Sequence, residues 1–168
     1  MTKTVTEIQN TVNQLAEKIN APTYLLPTFS SPIGDATPNI EVDNLGLYNY
    51  VISERGNEYE RKMTSDLNDL LYWIFASVTF SMACDYELKN RIEEKDCRRI
   101  MFEKQEELLG LLNTEWKEKE KKEHQSILNT NPFDDLAGLR AIFCGELRAK
   151  GLSESEIDKK AYEKYPEK

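Results

Sequence analysis

Residues 39–86 read NIEVDNLGLYNYVISERGNEYERKMTSDLNDLLYWIFASVTFSMACDY, and the change of period inside this stretch decides the fold. Ile40 and Val42 alternate with polar residues, Asn44-Leu45-Gly46 is a turn signal, and LYNYVISE is rich in aromatic and β-branched residues, which suit a pleated, half-buried surface. A second turn at Arg55-Gly56-Asn57 leads into EYERKMT, where Tyr59, Arg61 and Met63 share one face. Residues 39–64 therefore read as a three-stranded antiparallel meander, which needs a helix to cover its apolar face. Ser65 or Asp66 can cap a helix at its end, and Leu67, Leu70, Leu71, Ile74, Phe75, Val78, Met82, Ala83 and Tyr86 then keep helical spacing through about six turns. Trp73, Phe80 and Cys84 lie off that stripe, which predicts a core helix buried on more than one side, between the sheet and other helices.

Upstream, Thr4 and Glu7 have capping-box spacing and Val5, Ile8, Val12, Leu15 and Ile19 mark an amphipathic helix that stops before Pro22. The Pro- and Ser/Thr-rich stretch after it is a long loop with at most a short extended piece. Downstream, a third helix runs from near Asp96 to Asn113, and a fourth starts at Thr114 with Trp116, Ile127 and Leu128 on a thin apolar side. Its KEKEKKEH run reads as a solvated face with i,i+4 pairs such as Glu118 to Lys122. Asp134 or Asp135 can begin another helix through Leu136, Leu139, Ile142, Phe143 and Leu147, closed by Gly151, and Ser153 with Glu156 caps a last short one. The expected fold class is α+β: a three-stranded antiparallel meander packed on a mostly helical body of five to six helices. Residues 1–132 are expected to form a single domain, with residues 133–168 a C-terminal helical hairpin packed on it.

The 168 residues carry a net charge of −8, with 39% apolar and 31% charged side chains, a composition that supports a packed core. The field of an acidic molecule repels phosphate backbones and attracts cationic surfaces, so direct nucleic-acid binding is disfavoured. No charged n-region followed by an apolar h-region opens the sequence, and the longest apolar run, LLYWIFASVTFSMAC, is interrupted by Ser and Thr. The expectation is a cytoplasmic protein with no membrane partner. Cys84, Cys97 and Cys144 form an odd set without a CxxC pair, which fits reduced structural thiols rather than a disulfide framework or a metal site.

Chemistry is sparse. The sole histidine, His124, falls in the most charged part of the chain, where no buried, oriented imidazole for a Ser-His-Asp or Cys-His arrangement is expected. Metal-ligand spacing and Gly-rich phosphate loops are absent. The carboxylate pairs Asp66/Asp69 and Glu93/Glu94 are better explained as helix caps and solvated turns than as acid/base groups. No catalytic residue, metal or cofactor is expected, and the protein is not read as an enzyme. Arg98 and Arg99 sit at a helix N-terminus against the dipole and must gain ion pairs elsewhere, near Asp85 and Glu87 or the preceding acidic turn. Trp73 and Trp116 are interface anchors or, by default, core. Tyr48, Tyr50 and Tyr59 are candidates for a surface face of the sheet.

The stretch from Ile52 to Trp116 carries ERG, then LLYWIF, then TFSMA-x-DYEL, then D-x-RR, then F-x-KQ-x-x-LL, then a Trp in the next helix. In this order of motifs it resembles the immunity protein 63 family of bacterial polymorphic toxin systems, with weaker similarity through the NPFDD at Asn131–Asp135. The resemblance implies an α+β cytosolic inhibitor that binds and neutralises a cognate bacterial toxin encoded beside it. It also implies a family tryptophan, here Trp73, and a family arginine, here Arg98 or Arg99, with Trp116 in the matching helix. Such a protein needs no reaction of its own, only to cover an active site with fast association and a slow off-rate. If the toxin is a nuclease, its basic groove attracts an acidic surface, and Glu54, Glu58, Glu60, Asp85, Glu87, Glu93 and Glu94 are the candidate partner-binding carboxylates beside Arg98 and Arg99. The competing readings are a non-enzymatic protein–protein adaptor or scaffold unrelated to toxins, and a hydrolase built on clustered carboxylates.

Overall fold

The computed structural model describes residues 2–167. Helix α1 (Val5–Lys18) begins on the Thr4/Glu7 capping box, each side chain holding the other's backbone amide, and buries Ile8, Val12 and Ala16. The loop after it makes one short 3-10 turn at Thr23–Leu25. It then runs beside the first strand, where Ile40 N–H donates to the Thr28 carbonyl at 2.8 Å.

Strands β1 (Asn39–Val42), β2 (Tyr48–Glu54) and β3 (Asn57–Thr64) form an antiparallel meander in the order β1-β2-β3. The first turn is held by the Asp43 carboxylate, which accepts from Leu45 and Leu47 N–H at 2.9 Å. In the second, Arg55 and Gly56 both adopt positive φ, the geometry whose twist matches right-handed strands. Alternation sends Ile40, Tyr48, Tyr50 and Ile52 to the face that joins the core. Tyr59 and Met63 are 66% and 59% exposed, so of the three sheet tyrosines only Tyr59 is at the surface. On the same side as Met63, Arg61 spans Glu58 at 2.7 Å, Glu41 at 3.0 Å and Asn49 at 3.0 Å.

Helix α2 (Leu67–Lys89) starts at Asp66, whose carboxylate accepts from Asn68 N–H at 2.8 Å. Its Leu70, Ile74, Phe75, Val78 and Thr79 are at most 2% exposed. At roughly 1.5–3 kcal/mol for each fully buried large apolar side chain, this stripe dominates the stability of the core. By length and composition α2 is apolar enough to cross a membrane, but its stripe is spent on the sheet, α1 and the next helices. Its third side is open: Phe80 is 46% exposed and Trp73 only partly covered. As expected, α2 lies between the sheet and the next helix, with Trp73 half-buried against the core; of the off-stripe residues Trp73, Phe80 and Cys84, only Phe80 is left at the surface.

Helices α3 (Cys97–Leu112) and α4 (Thr114–Thr130) are separated by one extended residue, Asn113, whose side chain caps α4 through Glu115 N–H at 2.8 Å. Trp116 is 4% exposed, stacks on Phe75 with centroids 6.1 Å apart and donates from its indole to Asn68 at 2.9 Å. It is core. Helices α5 (Ala137–Ala149) and α6 (Glu154–Lys164) form a hairpin that buries Leu147, Ile157 and Ala161. The residue preceding α5 is Leu136, without a side-chain cap. As expected, Asp134 begins the helix: its carboxylate accepts from Leu136 N–H and its carbonyl from Ala137 N–H, both at 3.1 Å, while its other carboxylate oxygen pairs with Arg140.

Candidate functional site

A cleft of about 350 Å³ opens where α2, the β3 side of the sheet and α4 diverge. Its floor is the open flank of α2, namely Tyr72, Trp73, Ala76, Ser77 and Phe80; Tyr50 and Lys62 form the sheet wall, and Gln105, Glu120 and Glu123 the opposite one. The geometry follows from the helical period: Trp73, Ser77 and Phe80 repeat at four and three positions, one face of α2, along which Trp73 is half-buried and Ser77 and Phe80 are exposed.

Beneath the cleft lies a buried polar cluster. The Tyr72 hydroxyl donates to Glu120 Oε2 at 2.8 Å, and Gln105 Nε2 donates to Glu120 Oε1 at 3.1 Å and to the Ala76 carbonyl at 3.2 Å. His124 is 4% exposed and stacks on Phe102 with centroids 3.9 Å apart. Its Nδ1 lies 2.8 Å from Glu106 Oε1, and its Nε2 lies 3.2 Å from Gln105 Oε1 and 3.5 Å from Glu120. Burial first, then the Glu120 carboxylate, pushes the Tyr72 hydroxyl far above its ordinary pKa, so it remains a donor to Glu120. The structure corrects the reading of His124 as a solvated residue. Trp116, Glu120 and His124 are spaced at fours, so they share the inward face of α4. That spacing was the available signal, and the surrounding lysines and glutamates masked it. No Glu118–Lys122 ion pair forms among the described residues; Lys119 instead reaches Asp69 at 3.8 Å.

A second cluster joins the C-terminal hairpin to the body. Asp96 caps α3 through Arg98 N–H at 3.0 Å, accepts from Asp134 N–H at 2.9 Å and pairs with the Arg98 guanidinium at 2.6 Å. Arg98 also donates to the Asn131 and Pro132 carbonyls, and Arg99 pairs with Asp135 at 2.7 Å. Both guanidinium groups lie over the Phe133 ring. Burial alone would raise the Asp96 pKa, but hydrogen bonds from Arg98 and the Asp134 amide outweigh it and hold the carboxyl below its usual range. The expected ion pairing of Arg98 and Arg99 exists. Its acceptors are Asp96 and Asp135, not Asp85 and Glu87, because the 131–135 segment folds over the start of α3.

The acidic candidates fall on separate elements. Glu54, Glu58 and Glu60 flank the β2–β3 turn, beside Arg55, Arg61 and Lys62 respectively. Glu87 is 2% exposed and is held by Arg91 at 2.8 Å, so it is not a surface carboxylate. Asp85 lies on the exposed side of α2, and Glu93 and Glu94 lie in the exposed turn after it. Glu93 borders a largely apolar cavity of about 570 Å³ between that turn and α5. All three cysteines are free thiols, and no metal-suited group of His, Cys, Asp and Glu forms among the described residues.

Searches of curated proteins and of solved structures return no match. The family model for Immunity protein 63 matches residues 43–126, half of the 168-residue chain, from the first turn of the sheet to the end of the polar cluster on α4. Every residue lining the aromatic cleft falls inside that segment, and the chain belongs to the immunity protein 63 family.

Proposed function

We propose that this immunity protein acts in the cytoplasm by binding a cognate toxin domain and covering its active site, without chemistry of its own. The observation that carries this reading is that the family segment builds an uncovered aromatic cleft, edged by Glu120 and Glu123, on an otherwise packed core. Aromatic side chains at the centre of a concave patch are the usual energetic anchors of protein interfaces. The net charge of −8 supports steering toward a basic partner surface such as a nuclease groove, where association reaches about 10⁸–10⁹ M⁻¹s⁻¹ at low salt. A polymorphic toxin system, in which immunity gene and toxin gene are neighbours, is the context this reading assigns.

Co-expression with the toxin domain encoded beside this gene tests the reading. Host survival together with a complex that co-purifies is the expected result; survival without a complex would overturn inhibition by binding. A second reading, a protein–protein adaptor, draws on the apolar cavity beside Ile92, Ala141 and Ile142. Failure of rescue would transfer the lead to it.

A further inference from the structure

This inference rests on the cleft being the toxin-facing surface and names what enters it. We infer that the cleft receives an arginine side chain of the toxin, its guanidinium paired with Glu120 and packed against the aromatic flank of α2 formed by Trp73 and Phe80.

Three observations converge on a cation. Glu120 and Glu123 line the cleft, yet among the described residues neither has a lysine or arginine within ion-pair distance; the nearest basic group to Glu120 is the His124 ring at 3.5 Å. Most other buried or half-buried carboxylates here, including Glu87, Asp96, Asp134 and Asp135, are matched by arginines. A carboxylate withdrawn from water without a lysine or arginine beside it is costly, and its hydrogen bonds only partly compensate. Second, the Glu120 side chain is only 12% exposed, and both of its oxygens are held, by Tyr72 and Gln105. Its orientation is thus set before a partner arrives, which lowers the entropic cost of pairing. Third, the tyrosine rings of the cleft already carry cations, Lys62 over Tyr50 at 5.7 Å and Lys119 over Tyr72 at 4.1 Å. Trp73 and Phe80, which also line the cleft, carry none among the described residues, and Phe80 is 46% exposed.

A planar guanidinium suits this arrangement better than an ammonium, because it stacks on an aromatic face while its edge donates two parallel hydrogen bonds to a carboxylate. The volume of about 350 Å³ is at the small end of binding sites, as expected for one inserted side chain. His124 then serves as a positioning residue: it stands behind Gln105 and Glu120 and makes no contact with the guest.

The test titrates ethylguanidinium chloride into the ¹⁵N-labelled full chain, with sodium chloride and ethylammonium chloride at equal ionic strength as references. A saturable shift of the Trp73 indole N–H with ethylguanidinium, weaker by about fivefold or more with the references and lost in Glu120→Gln, is expected. A shift indistinguishable from that of sodium chloride, or one unchanged in Glu120→Gln, overturns the inference. If Glu120→Gln fails to fold, Trp73→Leu and Phe80→Leu, read from the Gln105 side-chain amide, decide the same question: loss of the ethylguanidinium response in either supports the inference, and an unchanged response in both overturns it. In the co-expression assay, Glu120→Gln should lower survival about tenfold or more while Glu17→Gln, at an exposed position of α1, does not. Rescue by the native chain that is indifferent to Glu120→Gln overturns the arginine alone. A guanidinium response without rescue supports the cation site and removes the toxin reading.

Discussion

Replacing Asp96 with alanine should destabilise the protein by about 3 kcal/mol. Three interactions disappear together. The N-cap of α3 loses its acceptor for Arg98 N–H, a loss that typically costs about 1 kcal/mol. The Asp134 amide, bonded to Asp96 at 2.9 Å, becomes an unsatisfied donor, and the Arg98 guanidinium loses the carboxylate it grips at 2.6 Å. Each of these costs about 1 kcal/mol when one partner is deleted from a partly buried pair. Asp96→Asn keeps a capping oxygen but not the charge, so it should cost about half as much. Urea unfolding followed by far-UV circular dichroism measures both, and the melting temperature of the alanine variant should fall by roughly 6–12 °C. Amide hydrogen exchange locates the effect, since α5 and α6 should lose protection while α2 keeps it. An alanine variant within about 0.5 kcal/mol of the native chain, or unchanged exchange in the hairpin, would refute the view that this carboxylate joins the two parts.

The same cluster predicts a pH dependence. Asp96 and Asp134 are held below the usual carboxylate range, and hydrogen bonding to Arg99 brings Asp135 down to about 2. Folded-state values below the unfolded ones mean that the stabilisation is complete above about pH 4 and is lost as pH falls toward about 2; hairpin amides should therefore exchange faster across that window. His124→Ala should cost about 3 kcal/mol in urea unfolding, because it removes the ring partner of the Glu106 carboxylate and of Gln105 Oε1 and opens a void against Phe102. Trp116→Phe should cost about 1–2 kcal/mol, and a double-mutant cycle with Asn68→Ala should return a coupling near 1 kcal/mol for the indole hydrogen bond. Arg148→Ala, which breaks an exposed pair with Glu154, should stay within about 0.5 kcal/mol.

Local rules made much of the architecture legible. The switch from alternation to a helical period near Ser65, the capping boxes at Thr4/Glu7 and Ser153/Glu156, and the turn at Arg55-Gly56 are each properties of a few neighbouring residues, and each appears where the pattern places it. The family, too, was readable from the order of motifs between Ile52 and Trp116, since a linear signature needs no coordinates. What tertiary structure decided is which of several equivalent faces meets another element. The spacing of Trp73, Ser77 and Phe80 is compatible with a second buried stripe, and only the divergence of α4 from the sheet leaves it open as a cleft. The distant partners of Arg98 and Arg99 lie 33–36 residues away in sequence, so these contacts depend on a chain reversal that no local pattern specifies. His124 shows the limit most plainly: a polar side chain amid lysines and glutamates reads as solvated by composition. It is buried because Gln105, Glu106 and Phe102 of a different helix supply the hydrogen bonds and the ring face that repay its desolvation.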